Sequence, residues 1–236
     1  MDAGRRAFGA RRGLAIDPVT DIIYSLSQVP TVKRFMECTL PIQGLMGPFG
    51  SGKSSACVVK LAQLAAAQAK GPDGIRRSRW CVIRNTFRQL NDTTIKTFHA
   101  WLPPMHFGEF RSTDHNYAVN RMMPDVEMEV MFRALDRPEH VANLLSLDLT
   151  GAWVNEAREI PWTIIQALQG RVGRFPAQVA GGASWAGVIL DTNPPDTDSW
   201  WYRLFEEKRP DNAALFRQPS GFSEHAENKA NLPPRY

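Results

Sequence analysis

Residues 47–54 read Gly-Pro-Phe-Gly-Ser-Gly-Lys-Ser, and this octet constrains the chain more than any other feature. It fits G-x-x-x-x-G-K-[ST], the pattern of a phosphate-binding loop. Glycines let backbone N–H groups turn inward around phosphate oxygens. A helix that starts at the lysine aims its free amides and its dipole at the same anion. The flanks agree with that mechanism. An apolar stretch, 40–46, precedes the octet and reads as a buried strand. After it, Val58, Leu61, Ala62 and Ala65 fall at i, i+3, i+4 and i+7, the stripe of an amphipathic helix over 53–70. Gly71-Pro72-Asp73-Gly74 stops that helix. On this reading residues Gly47, Pro48, Phe49, Gly50, Ser51, Gly52, Lys53, Ser54 and Ser55 wrap ATP. Lys53 neutralises the β- and γ-phosphates and Ser54 ligates Mg²⁺.

The rest of the chain alternates strand and helix patterns. Strands are expected at 80–84, 126–132, 151–154, 185–190 and 214–218, and a hairpin within 103–125. Helices are expected at 86–99, 138–145, 161–170 and 199–207. That alternation predicts an α/β domain with a mostly parallel sheet covered on both faces. With 236 residues there is chain for one large domain and short appendages. We expect a basic tail at 1–20, the ATPase domain at 21–220, and a tail or linker at 221–236. No apolar run nears the ~20 residues that span a bilayer. The start of the chain carries charge without an apolar stretch behind it, unlike a secretory signal. Cys38, Cys57 and Cys81, odd in number, match no zinc or redox spacing and suit a reducing compartment. The five histidines show no ligand spacing.

Net charge is +4, and 21 of the 28 basic residues are arginine, which pairs well with phosphate. The excess permits a nucleic-acid partner without demonstrating one. Arg5, Arg6, Arg11 and Arg12 form one cluster and Arg76, Arg77 and Arg79 another; both read equally well as solvated surface.

A phosphate-loop hydrolase also needs a carboxylate that activates water, at the end of a neighbouring strand. Glu156, after the apolar run 151–154 and Asn155, competes with Asp148. Glu156 is preferred, because Leu149 follows Asp148 and no second carboxylate stands beside it. Asn155 then occupies a position where an aspartate usually supports Mg²⁺, which gives weight to a rival reading, a nucleotide-dependent assembly module that hydrolyses poorly and mainly docks partners. Asp191-Thr192-Asn193-Pro194 carries the residues of an ordinary turn. No Asn-Lys-x-Asp guanine motif exists; Asn228-Lys229-Ala230-Asn231 comes nearest.

Taken together, GPFGSGKSS (47–55), WCVIRNTFRQL (80–90), MFRALDRPEHVANLLSLDLTGAWVNEAREI (131–160), GRVGRFP (170–176) and LDTNPPDTDSWWY (190–202) resemble the large terminase subunit of tailed bacteriophages. The resemblance runs in family order over about 30–220. It implies a RecA-like ATPase that moves double-stranded DNA into a procapsid in the host cytoplasm, using ATP and Mg²⁺. It implies a portal protein and a small terminase subunit as partners, and a ring of five subunits, with the isolated domain monomeric. Lys53 and Ser54 then hold phosphate and Mg²⁺, Asn155 supports the metal, and Glu156 activates water. Thr192 and Asn193 match the motif that couples hydrolysis to DNA movement. Large terminases usually carry a nuclease domain as well; only residues 219–236 follow the last expected strand, so no nuclease residues are assigned. The octet 47–54 contains no arginine, and neither does the stretch just before the acidic motif. An arginine finger is therefore expected from a neighbouring subunit, with Arg171 and Arg174, expected on the loop side after the Glu156 helix, as candidates and Arg137 as a third. Trp200, Trp201 and Tyr202 are expected to serve as core or subdomain contact.

Overall fold

The computed structural model describes residues 24–135 and 138–231. The basic cluster at 5–12, the rest of the expected N-terminal tail, and Arg137 lie outside the described residues.

Eight strands form one sheet: β1 (Ile42–Met46), β2 (Arg76–Arg84), β3 (Gly108–Arg111), β4 (Asn116–Val119), β5 (Val126–Ala134), β6 (Gly151–Asn155), β7 (Gly187–Thr192) and β8 (Ala213–Arg217). Their order across the sheet is β3-β4-β5-β2-β6-β7-β1-β8. Every pairing from β5 to β8 is parallel, and β4 runs antiparallel to both its neighbours. This is the expected α/β fold with a mostly parallel sheet. The hairpin expected in 103–125 is β3–β4.

The helices are α1 (Pro30–Glu37), α2 (Lys53–Ala66), α3 (Phe87–Gln89), α4 (Lys96–Trp101), α5 (Pro104–Phe107), α6 (Pro138–Leu144), α7 (Trp162–Gln169) and α8 (Trp200–Tyr202). A π-helical stretch, Leu90–Ile95, joins α3 to α4, and another, Arg203–Lys208, extends α8. The helix α1 is absent from the sequence reading. Proline opens it and Val32, Phe35 and Met36 face inward. Lys60 of α2, nearly inaccessible, donates from Nζ to the carbonyls of Phe35, Met36 and Cys38 at 3.2, 2.6 and 2.7 Å. These bonds satisfy acceptors at and just beyond the end of α1, where carbonyls have no helical partner.

Strand parity sorts the core into two layers. Trp80, Val82, Trp153, Ile189 and Leu45 meet Val58 and Leu61 of α2 on one face. Cys81, Ile83, Ala152, Val154, Val188 and Leu190 meet Ile165 and Leu168 of α7 on the other, together with Trp201 and Phe205. Successive strand residues point to opposite faces, so Asn155 and Asp191 share the face of Trp153 and Ile189, beneath α2. That parity builds the site.

Of the aromatic trio, Trp201 sits in the core, Trp200 packs half-buried against it, and Tyr202 stays outside both core layers. Trp201 lies against Gly44 of β1: a Cβ there would come within 2.7 Å of the Phe205 ring and 3.0 Å of the Trp201 ring. Gly44→Ala should therefore destabilise the fold by about 1–3 kcal/mol, the usual range for overpacking a tight core. A thermal melt should show a lower transition temperature, and an unchanged one would refute this packing.

The expected boundary at 220/221 does not divide the structure. Glu227, buried, accepts from the Thr31 amide at 2.8 Å and from Gln218 Nε2 at 3.1 Å. Gln218 Nε2 also reaches the Ser51 carbonyl at 3.0 Å, and Asn228 Nδ2 the Gly50 carbonyl at 2.9 Å. A polar composition reads as a tail, yet here polar side chains are what the loop's outward carbonyls require.

Candidate active site

The loop leaves β1 at Met46 and is tied to β7 at once, Gly47 N–H donating to the Thr192 carbonyl at 3.2 Å. Gly50 and Gly52 have φ of 73° and 83°, left-handed values that a side chain resists. Gly52 is the N-cap of α2 and supplies no side-chain acceptor, so the first amides of this 14-residue helix face the loop without an internal partner. Backbone donors and the helix dipole thus converge on one concave surface, an anion site. A cavity of about 240 Å³ opens there, and its lining includes Lys53, Ser54, Thr97, Glu156 and Asn193.

Lys53 is buried, and its Nζ donates to the carbonyls of Gly47 and Pro48 at 2.9 and 2.8 Å and to Asn193 Oδ1 at 3.0 Å. Burial pushes its ammonium below the ordinary lysine range, while Asp191 and Glu156 pull it back up. An arriving phosphate would favour the charged form further.

Glu156 follows β6 in the left-handed region, at φ 51° and ψ 54°. For a residue with a Cβ that conformation costs about 1–2 kcal/mol. It turns the carboxylate toward β7, where Oε1 accepts from Asn193 Nδ2 at 3.0 Å and Oε2 from the Asn193 amide at 3.4 Å. Buried Arg84 of β2 steadies this turn, donating from Nη1 to the Asn155 carbonyl at 3.3 Å. Asn193 therefore holds Glu156 with its amide nitrogens and Lys53 with its side-chain oxygen. Glu156, Asn193 and Lys53 form one polar chain at the mouth of the loop.

A second chain lies below. Trp153 Nε1 donates to Asp191 Oδ1 at 2.7 Å. Asn155 Nδ2 donates to both oxygens of Asp191, at 3.0 and 3.1 Å, and to Ser54 Oγ at 3.3 Å. Ser54 Oγ donates to Asp191 Oδ2 at 3.3 Å, and Thr94 Oγ1 donates to Asn155 Oδ1 at 2.8 Å. Asp191 is fully buried; burial pushes its carboxyl up, against the pull of the Asn155 and Trp153 bonds and of Lys53. Asn155 thus turns its N–H₂, not its oxygen, toward Ser54. Among the described residues no three His, Cys, Asp or Glu side chains converge. Ser54 with one nearby carboxylate nevertheless fits Mg²⁺, which takes one or two protein oxygens and fills its shell with phosphates and water.

The structure brings Lys53, Ser54, Asn155, Glu156 and Asn193 together. Thr192 joins them only through its carbonyl, which accepts from the Gly47 amide, because strand parity turns its side chain to the α7 face. The structure keeps the rest of residues 47–55 around them and separates Asp148, Arg171 and Arg174 from them. Asp148 precedes the start of β6, at the end of the sheet opposite the loop, and is not buried. Arg171 and Arg174 are there too. The Leu149 amide donates to the Arg171 carbonyl, and the Arg174 amide to the Leu149 carbonyl, at 3.1 and 3.0 Å. The expectation that these arginines lie on the loop side fails because α7 leaves the site and carries the chain back along the sheet. Asp191 and Thr192 belong to β7 and not to a turn. The sequence reading missed Asp191 because turn-forming residues cluster just after it; extending the period of two from Val188–Leu190 by one residue finds it.

No family model matches this sequence, and no curated protein does. Solved structures do. The large terminase of a thermophilic bacteriophage, in complex with ADP, superposes with a TM-score of 0.64 at 11% identity, over 88% of this chain and 47% of that one. The fold is that of a large-terminase ATPase domain. The ATPase domain of the Thermus phage P74-26 large terminase matches at 0.53 and 17% identity, over 79% of each chain. The HK97 bacteriophage large terminase matches at 0.54 and 10%, over 80% of this chain and 38% of that one. The chain thus spans less than half of the first and the last of these three proteins. Among the described residues no helix is long and apolar enough to cross a membrane.

Proposed function

We propose that this chain is the ATP-hydrolysing motor domain of a phage terminase and drives double-stranded DNA into a procapsid. The observation that carries the reading is the chain Glu156–Asn193–Lys53 across the mouth of the phosphate loop. Phosphate oxygens of ATP take the loop amides and displace the Gly47 and Pro48 carbonyls from Lys53. Mg²⁺, held through Ser54, supplies charge neutralisation at the β- and γ-phosphates. Glu156 accepts the proton of the attacking water. Asn193 bonds both Glu156 and Lys53, so loss of the γ-phosphate changes the partners of a residue that follows β7 directly. That is a physical route from hydrolysis to movement, and it supports a coupling role for Asn193, which Thr192 joins only through its carbonyl's bond to the loop. The same fold in the ADP-bound terminase of the thermophilic phage supports nucleotide binding here.

Double-stranded DNA, a portal protein, a small terminase subunit and a five-membered ring complete the proposal. Arg171 and Arg174, at the far end of the sheet, stand away from the phosphate loop of their own chain, so a finger role for either would have to be played on a neighbouring subunit. Steady-state ATPase assays test the whole. The rate per subunit should rise with duplex DNA and with protein concentration. A rate indifferent to both would favour a nucleotide-dependent docking module, the reading that Asn155 in place of aspartate suggests.

A further inference from the structure

We propose that Asp191 is the carboxylate that supports the metal of the bound nucleotide, in the role that Asn155 cannot fill. The inference rests on the nucleotide-site reading above and deepens it. Asn155 offers Ser54 only N–H groups, and its oxygen is occupied by Thr94. A cation cannot use that face of an amide. One strand over, Asp191 Oδ2 accepts the Ser54 hydroxyl, and β6–β7 register sets Asn155 directly opposite Asp191. The two side chains have therefore exchanged chemistry across adjacent strands: amide on β6, carboxylate on β7. Register and parity keep the charge beneath α2 in either arrangement.

The electrostatics point the same way. Asp191 is wholly inaccessible, and none of its three hydrogen-bond partners, Trp153, Asn155 and Ser54, carries a charge. Lys53 spends its donors on Gly47, Pro48 and Asn193. A buried carboxylate without an ion pair is costly, and a divalent cation at Ser54 offsets that cost. Asp191 is thus a positioning residue, acting through Ser54 and the metal's water.

The test uses ADP and Mn²⁺ with the whole chain. ADP binding is measured by calorimetry in EDTA and in Mn²⁺, and bound Mn²⁺ by electron paramagnetic resonance. Asp191→Asn should weaken Mn²⁺ in the ADP complex about 10–100-fold, the range for lost outer-shell partners, and leave ADP binding in EDTA unchanged. The exchange Asn155→Asp with Asp191→Asn should restore most of the Mn²⁺ affinity. Unchanged Mn²⁺ affinity in Asp191→Asn, or equal losses with and without metal, would overturn the assignment. Should Asp191→Asn fail to fold, crystals of the wild-type chain with ADP and Mn²⁺ decide. Anomalous scattering should place the ion within about 5 Å of an Asp191 oxygen, the reach of one bridging water; an ion beyond that reach overturns the proposal. Failure of the wild-type chain to bind ADP at all would sink the nucleotide-site reading itself, and would be seen before any variant is compared.

Discussion

Lys53→Ala should abolish measurable ATP hydrolysis, a fall of at least about 10²–10³-fold, because the transferring phosphoryl group loses its main neutralising charge in a site poor in water. The loss has two parts. The ammonium is gone, and so are its bonds to Gly47, Pro48 and Asn193, which latch the loop to the end of β7. Lys53→Arg separates them in part, keeping charge while changing shape, and should remain strongly impaired since a planar fork does not replace a point charge here. Stability should change little in the alanine variant, because removing a desolvated ammonium relieves a penalty as it breaks three bonds. Near-wild-type turnover by Lys53→Ala, in a sample free of contaminating ATPase, would refute the phosphate-loop reading.

Glu156→Gln should bind ATP with Mg²⁺ yet turn over about 10²–10⁴-fold more slowly, the range for a lost general base. The amide keeps shape and can still accept from Asn193 Nδ2, so the polar chain at the loop survives while the proton acceptor is lost. Nucleotide affinity measured alongside the rate distinguishes this from a collapsed site. Asp148→Asn should leave turnover unchanged, since Asp148 stands at the other end of the sheet. The opposite pattern, with Asp148→Asn inactive and Glu156→Gln active, would mean that the wrong carboxylate has been chosen.

The parts of this site that can be read from sequence are those held by local chemistry. The phosphate loop is one: glycine freedom, strand before and helix after all lie within about 30 residues. Glu156 is another, because an apolar run ending in Asn-Glu marks a strand that stops at a polar edge. What escapes is set by register between strands distant in sequence. Asp191 pairs with Asn155 across 36 positions of chain; the local period of two can extend the strand to it, but only the register shows that it meets Asn155 and Ser54. The turn-forming residues Asn193, Pro194 and Pro195 draw attention away from it; they do leave the strand, but only after Thr192. The arginines illustrate the same gap. Arg171 and Arg174 follow the site closely in sequence, yet one helix between them and Glu156 reverses the chain and takes them to the far end of the sheet. The helix α1 escapes for a third reason, being only eight residues long with a single apolar stripe. Its last carbonyls are satisfied by Lys60, a partner more than twenty residues away.

A crystal structure with a non-hydrolysable ATP analogue and Mg²⁺ tests the central claim most directly. The account predicts the γ-phosphate within hydrogen-bond reach of Lys53 Nζ, with a water between it and the Glu156 carboxylate. A nucleotide seated away from residues 47–55, or a Glu156 carboxylate turned away from the γ-phosphate with another acid in its place, would contradict it.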